Sequence, residues 1–108
     1  MYLRPRHAFE RFLVQSKVSR ADSSGRVTVE FKDNGFLFAA IDTLHPHEVE
    51  KWRALKHAVD VVLIQHGGEK SANIGDRLIG GARIFLIQHV EPTLGGWHLY
   101  YCQERHDL

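Results

Sequence analysis

Eight histidines in a chain of 108 residues raise metal chemistry first. His45 and His47 flank Pro46, and Glu48 and Glu50 follow, a spacing that resembles a His-x-His metal pair. On a strand, residues i and i+2 share a face, so two such imidazoles could clasp one ion. Pro46, however, suits the first position of a helix, where residues i and i+2 diverge. The pair is therefore read as exposed or capping histidines, with a metal- or ligand-binding barrel using His45, His47 and Glu50 as an alternative. His7, His57, His66, His89, His98 and His106 show no ligand spacing, although His89 and His98 are expected near each other across the last hairpin, on a solvent face. Gly67-Gly68-Glu69-Lys70-Ser71 lacks the G-x-x-x-x-G-K-[ST] spacing of a phosphate loop, and a strand rather than a helix follows it. Ser23, Ser24 and Ser71 have no nucleophile-elbow context, and no pair of carboxylates stands out from solvated surface acids. The single cysteine, Cys102, has no spaced His-Asp or His-Asn set and is read as a packed, inert thiol. Trp97, Tyr100 and Tyr101 could stack bases, as small barrels that bind single strands do. Their neighbours are not basic, and aromatic strand residues mostly serve core and cross-strand packing. No enzyme activity and no cofactor is expected, and a single-stranded nucleic-acid module is kept as an alternative.

The elements that position these residues are mostly strands. Residues 12–18 alternate loosely and form a first strand. Residues 19–26 are a polar turn cluster. Val27, Val29 and Phe31 alternate with polar residues at the period of a half-buried strand. Asp33-Asn34-Gly35 reads as a hairpin turn, since Asn-Gly accepts left-handed conformations, and residues 36–41 are the returning strand. Pro46 opens the one helix, over residues 46–56. Its acids come early and its bases late, as the helix dipole favours. Val49, Trp52 and Leu55 form a narrow apolar stripe that places Trp52 against the sheet. Residues 58–65 are a strand, and residues 66–75 a polar, glycine-bearing loop. Then come a short segment 76–79, a two-residue Gly80-Gly81 turn, a long apolar run 82–90, a turn through Gly95-Gly96 and an aromatic strand from Trp97 to Cys102. The fold class is mainly β: a small antiparallel barrel or sandwich of six to seven strands with one short α-helix.

Composition sets the outer bounds. A chain of this length is one domain, and its 44% apolar and 25% charged residues are those of a globular protein. No stretch approaches the roughly 20 apolar residues of a membrane span. No apolar signal-peptide core follows the first basic residues, so folding in a cytoplasm is expected. Net charge is +1, but it is unevenly spread. Residues 1–26 carry six Lys/Arg against two acids, a net of +4, while the remainder carries −3. Arg4, Arg6 and Arg11 mark residues 1–11 as a flexible basic arm that could dock on an acidic partner.

The order of motifs then becomes informative. An apolar strand ending in Asp42-Thr43-Leu44 leads into HPHEVEKWRAL (45–55) and HAVDVVLI (57–64). GDRLIGG (75–81), RIFLI (83–87), a glycine-rich turn and WHLYYCQERHDL (97–108) follow. From about Phe31 to Leu108 this order resembles the head–tail joining proteins of tailed bacteriophages and prophages, also called head closure, stopper or adaptor proteins. The resemblance implies a virion protein made in the bacterial cytoplasm. It would assemble with copies of itself as a ring on the portal complex, touching the portal or an adaptor on one side and a tail terminator or tail tube protein on the other. Packaged double-stranded DNA would pass its channel without sequence-specific contact, and no membrane is involved. A stopper needs segments that enter or leave the lumen. The helix segment, with Leu44, Glu48, Trp52, Leu55 and His57, is the preferred gating or interface candidate. The loop bearing His66, Glu69, Lys70, Ser71 and Asn73 is the second.

Overall fold

The computed structural model describes residues 9–67, 71–93 and 95–106. Six strands and one helix follow in the order β1 (Glu10–Ala21), β2 (Val27–Thr43), α1 (Pro46–Ala54), β3 (Val61–His66), β4 (Arg77–Gly80), β5 (Arg83–Pro92) and β6 (Trp97–Arg105). Every pairing is antiparallel, and the strands close into a barrel in the order β1-β2-β3-β6-β5-β4. The mainly-β expectation with one short helix holds, with six strands and a barrel rather than a sandwich.

Alternation sorts the side chains into two clusters. Phe12, Val14, Leu37, Leu63, Phe85 and Tyr100 point inward among the residues that fill the barrel, and Phe12 meets Phe85 edge-on at 5.9 Å between ring centres. Strands β3 and β6 are buried on their other face as well. Leu44, Val59, Val62, Ile64, Leu99 and Tyr101 form an outer cluster, against which Val49, Trp52 and Trp97 pack. This double burial explains the near-continuous apolar run of β3, which reads as a central strand rather than an alternating one.

The register corrects the expected turns. Asp33-Asn34-Gly35 makes no hairpin: β2 runs through it, and its partner β1 folds back at residues 22–26 instead. Leu13 faces Phe36 and Gln15 faces Asp33, so Asn34 and Gly35 both lie opposite Val14. That is a β-bulge, with Gly35 at φ 81°. A left-handed glycine serves a tight turn and a bulge equally well, and only strand pairing tells the two apart. The Gly80-Gly81 turn is also displaced by one residue. Gly80 pairs with Arg83 and belongs to β4, and Gly81-Ala82 form the turn. Gly80 is held in the strand by packing, because a Cβ there would lie 2.5 Å from Cε1 of Phe12.

Strand bounds move too. β1 runs beyond residues 12–18 at both ends, and β3 begins at Val61, three residues later than the expected strand. Residues 10 and 11 lie in β1, so Arg11 belongs to the barrel wall rather than to an arm; its guanidinium stands 4.5 Å over the Phe36 ring. Arg4 and Arg6 lie outside the described residues. Among the described residues no helix is long and apolar enough to cross a membrane.

Candidate assembly surface

The helix starts where Pro46 supplies the first helical position and the Glu48 carboxylate accepts the His45 N–H at 3.4 Å. It stops two residues earlier than residue 56. Lys56 takes a left-handed φ of 63°, its N–H donates to the Arg53 carbonyl, and the His57 N–H donates to the Trp52 carbonyl, each at 2.9 Å. This is the Schellman closure, with lysine where glycine is usual. No residue of the helix is fully buried. Of the expected stripe, Val49 and Trp52 pack on the outer cluster, whereas Leu55 is 57% exposed. Closing the helix at Ala54 turns Leu55 out of the stripe. Trp52 is the main anchor: its ring lies 4.8 Å from Tyr101, 5.3 Å from His89 and 5.9 Å from His57.

The helix and β5 thereby enclose a groove of about 710 Å³. Trp52, Val90 and Tyr101 form its apolar lining, Leu55 its wall, and Glu48, Glu91 and Lys51 its charged residues. Four of the five residues expected in the gating segment, Glu48, Trp52, Leu55 and His57, meet here. The fifth, Leu44, is buried beneath the helix as an anchor.

The second candidate segment is tied down where it is described. Tyr100, inside the barrel, donates its hydroxyl proton to Gln65 Oε1 at 2.6 Å and accepts the Ser71 N–H at 3.2 Å. Gln65 Nε2 donates to Ser71 Oγ at 3.1 Å. Ala72 is buried, and the Asn73 N–H donates to Asp76 Oδ2 at 3.0 Å. His66 is exposed and packs against Trp97, the ring centres 4.0 Å apart and the planes tilted by 41°, while Glu69 and Lys70 lie outside the described residues. Sequence reasoning missed Asp76 altogether. Its buried carboxylate also accepts the Lys17 N–H at 3.0 Å, joining β1 to the approach of β4. The signal was the aspartate after Asn73-Ile74-Gly75, a side chain that favours bonding to nearby backbone N–H groups.

A third feature was not anticipated. Residues 16–21 of β1 and 27–32 of β2 pair only with each other among the described residues, so the far part of this hairpin leaves the barrel as a two-stranded ribbon. The molecule measures 52 Å along its longest axis against 31 and 28 Å across. Val27 and Val29 on the ribbon are 64% and 51% exposed. At its base, Arg77 stacks over the Phe31 ring at 3.9 Å.

The remaining chemical candidates resolve simply. His45 and His47 do not diverge: their rings stack at 5.7 Å, 6° from parallel. Glu50 is engaged by Arg53 at 2.6 Å. Among the described residues no three His, Cys, Asp or Glu side chains converge as metal ligands would. His98 faces Pro92 and His89 faces Tyr101, so those two histidines are not partners. Tyr100 and Tyr101 are buried, leaving no exposed aromatic platform with Trp97. Burial pushes the Cys102 thiol up, with the nearby Asp60 charge adding to the effect, so it stays protonated and unreactive. Burial likewise raises the Tyr100 phenol.

Two solved structures share this fold. The solution structure of protein SF1141 from Shigella flexneri 2a superposes with a TM-score of 0.73 at 17% identity, covering 98% of this chain and all of that one. A chain of the virion of a native gene transfer agent particle superposes with a TM-score of 0.58 at 18% identity, over 94% of this chain and 98% of its own. No protein-family model and no curated protein sequence matches the chain.

Proposed function

We propose that this protein is a structural, non-enzymatic component of a phage-type virion, acting at the head–tail junction. The observation that carries the reading is the likeness of the whole fold to a chain built into a virion, over 94% of this sequence. The motif order from Phe31 to Leu108 points to the same class. Two surface features support the reading: a groove beside the helix lined by apolar and charged residues, and a projecting ribbon with exposed valines. In this reading, copies form a ring on the portal complex, close the DNA-filled head and dock the tail. The ring contacts a portal or adaptor protein above and a tail terminator or tail tube protein below, and DNA crosses the channel without sequence readout. The helix segment from Leu44 to His57, whose helix Pro46–Ala54 has no fully buried residue, is the proposed gating or interface element. The loop that carries His66, Glu69, Lys70, Ser71 and Asn73 is the second proposed contact.

Cryo-electron microscopy of assembled particles tests the assignment. The expected result is a ring of this barrel between portal and tail. Finding the chain in the capsid shell or the distal tail would overturn it.

A further inference from the structure

We propose that the β1–β2 ribbon is an assembly arm whose tip docks into the groove between helix α1 and strand β5 of a second copy of this chain. The inference deepens the ring reading above and rests on it. Register sorts the ribbon into two faces. Ser19 is paired with Val29 and Ala21 with Val27, so the two exposed valines share one side with small neighbours. The opposite side carries Arg20 and Glu30, 3.8 Å apart. Val27 is 64% exposed, and Val29, 51% exposed, borders a concavity with Phe31, Ile74 and Leu86, so the valines extend an apolar strip from the barrel to the ribbon tip.

The tip is preorganised. Asp22 Oδ1 accepts the N–H groups of Ser24 and Arg26 at 2.9 Å each and the Ser24 hydroxyl at 2.7 Å. These bonds hold the Asp22 carboxyl below its ordinary value, the Ser24 hydroxyl having the largest effect. A turn locked in this way loses little freedom on docking. Residues 20–28 run beyond the concavity that Val29 and Lys17 share with Leu86 and Gln88, by about 13 Å at the usual rise of a strand, so the arm tip reaches outward toward a neighbour.

The groove offers the complement. Trp52, Val90 and Tyr101 line it, Leu55 stands exposed at its wall, and its charged residues are the acids Glu91 and Glu48 against the single cation Lys51. Arg26 at the arm tip precedes Val27, so seating the valines on Trp52 and Leu55 brings a cation to these acids. Arm and groove are different patches, and such contacts run head to tail and close into a ring when the rotation allows.

The test uses full-length chains carrying Val29→Cys or Leu55→Cys, both exposed positions, with the native Cys102 buried. The two variants are mixed and treated with a short bis-maleimide. The expected result is a mixed dimer at least tenfold above either variant alone, and a ladder of multimers from the chain carrying both substitutions. Arg26→Glu and Glu91→Arg each suppress the mixed dimer, and the two together restore it. Absence of the mixed dimer overturns the arm, as does a Val29→Cys chain that cross-links equally well to itself. Rings at the portal without this cross-link would remove the arm and leave the virion reading intact. A mixed dimer from a chain that particles do not need would do the reverse.

Discussion

Lys56 is the one described residue other than glycine in a left-handed conformation. It completes the helix closure at a cost of about 1 kcal/mol, because its Cβ crowds the backbone there. Lys56→Gly is therefore expected to raise stability by about 1 kcal/mol, measured as an upward shift in thermal unfolding. A lower melting temperature would contradict this account of the cap. Arg83 and Glu104 form a forked pair across β5 and β6, at 2.8 and 2.9 Å. The Arg83 hydrogen bond holds the Glu104 carboxyl below its ordinary 4.5. A depressed carboxylate contributes stability above its unfolded value and loses it as pH falls through the folded value. Arg83→Met should accordingly lower the melting temperature at neutral pH, with the gap from wild type narrowing below pH 4.5 as Glu104 takes up its proton. A gap that persists unchanged into acid would show that the arginine acts through packing over Phe85 instead, where it lies 5.0 Å from the ring.

At the level of elements, the helix, the aromatic last strand and the apolar β3 could be read directly, because their patterns have one interpretation each. The glycine-bearing turns could not. Asn34-Gly35 satisfies the rules for a hairpin as fully as those for a bulge, and the choice between them is made by 17 continuous residues of β2 pairing along the whole of β1. Gly80 and Gly81 look alike in sequence, yet one is required by the Phe12 ring and the other by its φ of 60°. Gly80→Ala should overpack this contact and cost about 1–3 kcal/mol, whereas Gly81→Asn should be nearly neutral, since asparagine accepts that conformation and nothing stands near its Cβ. Equal denaturation midpoints for the two variants would contradict this division of roles. Trp52 is half-buried, so Trp52→Ala is expected to cost about 2–3 kcal/mol, below the range for a fully buried tryptophan. Unchanged thermal stability would mean that the helix does not rest on the barrel in solution.

For the molecule as a whole, six antiparallel strands closed into a barrel form a rigid body from which one ribbon projects. The groove residues Glu48, Trp52, Leu55 and His57 were legible in the sequence as one helical segment. Their partners on β5, His89, Val90 and Glu91, were not, because only the closure of the barrel brings that strand beside the helix. The ribbon was hidden for the same reason that the bulge was: cutting β2 at Gly35 shortens it out of existence. The groove beside the helix and the projecting ribbon are the two surfaces on which the proposed assembly rests. The most direct measurement is particle assembly in a producing host that lacks this chain. The account predicts DNA-filled heads that leak their DNA and accumulate beside free tails, with joining restored when the wild-type chain is added back. Tailed particles that retain their DNA without it would contradict the account.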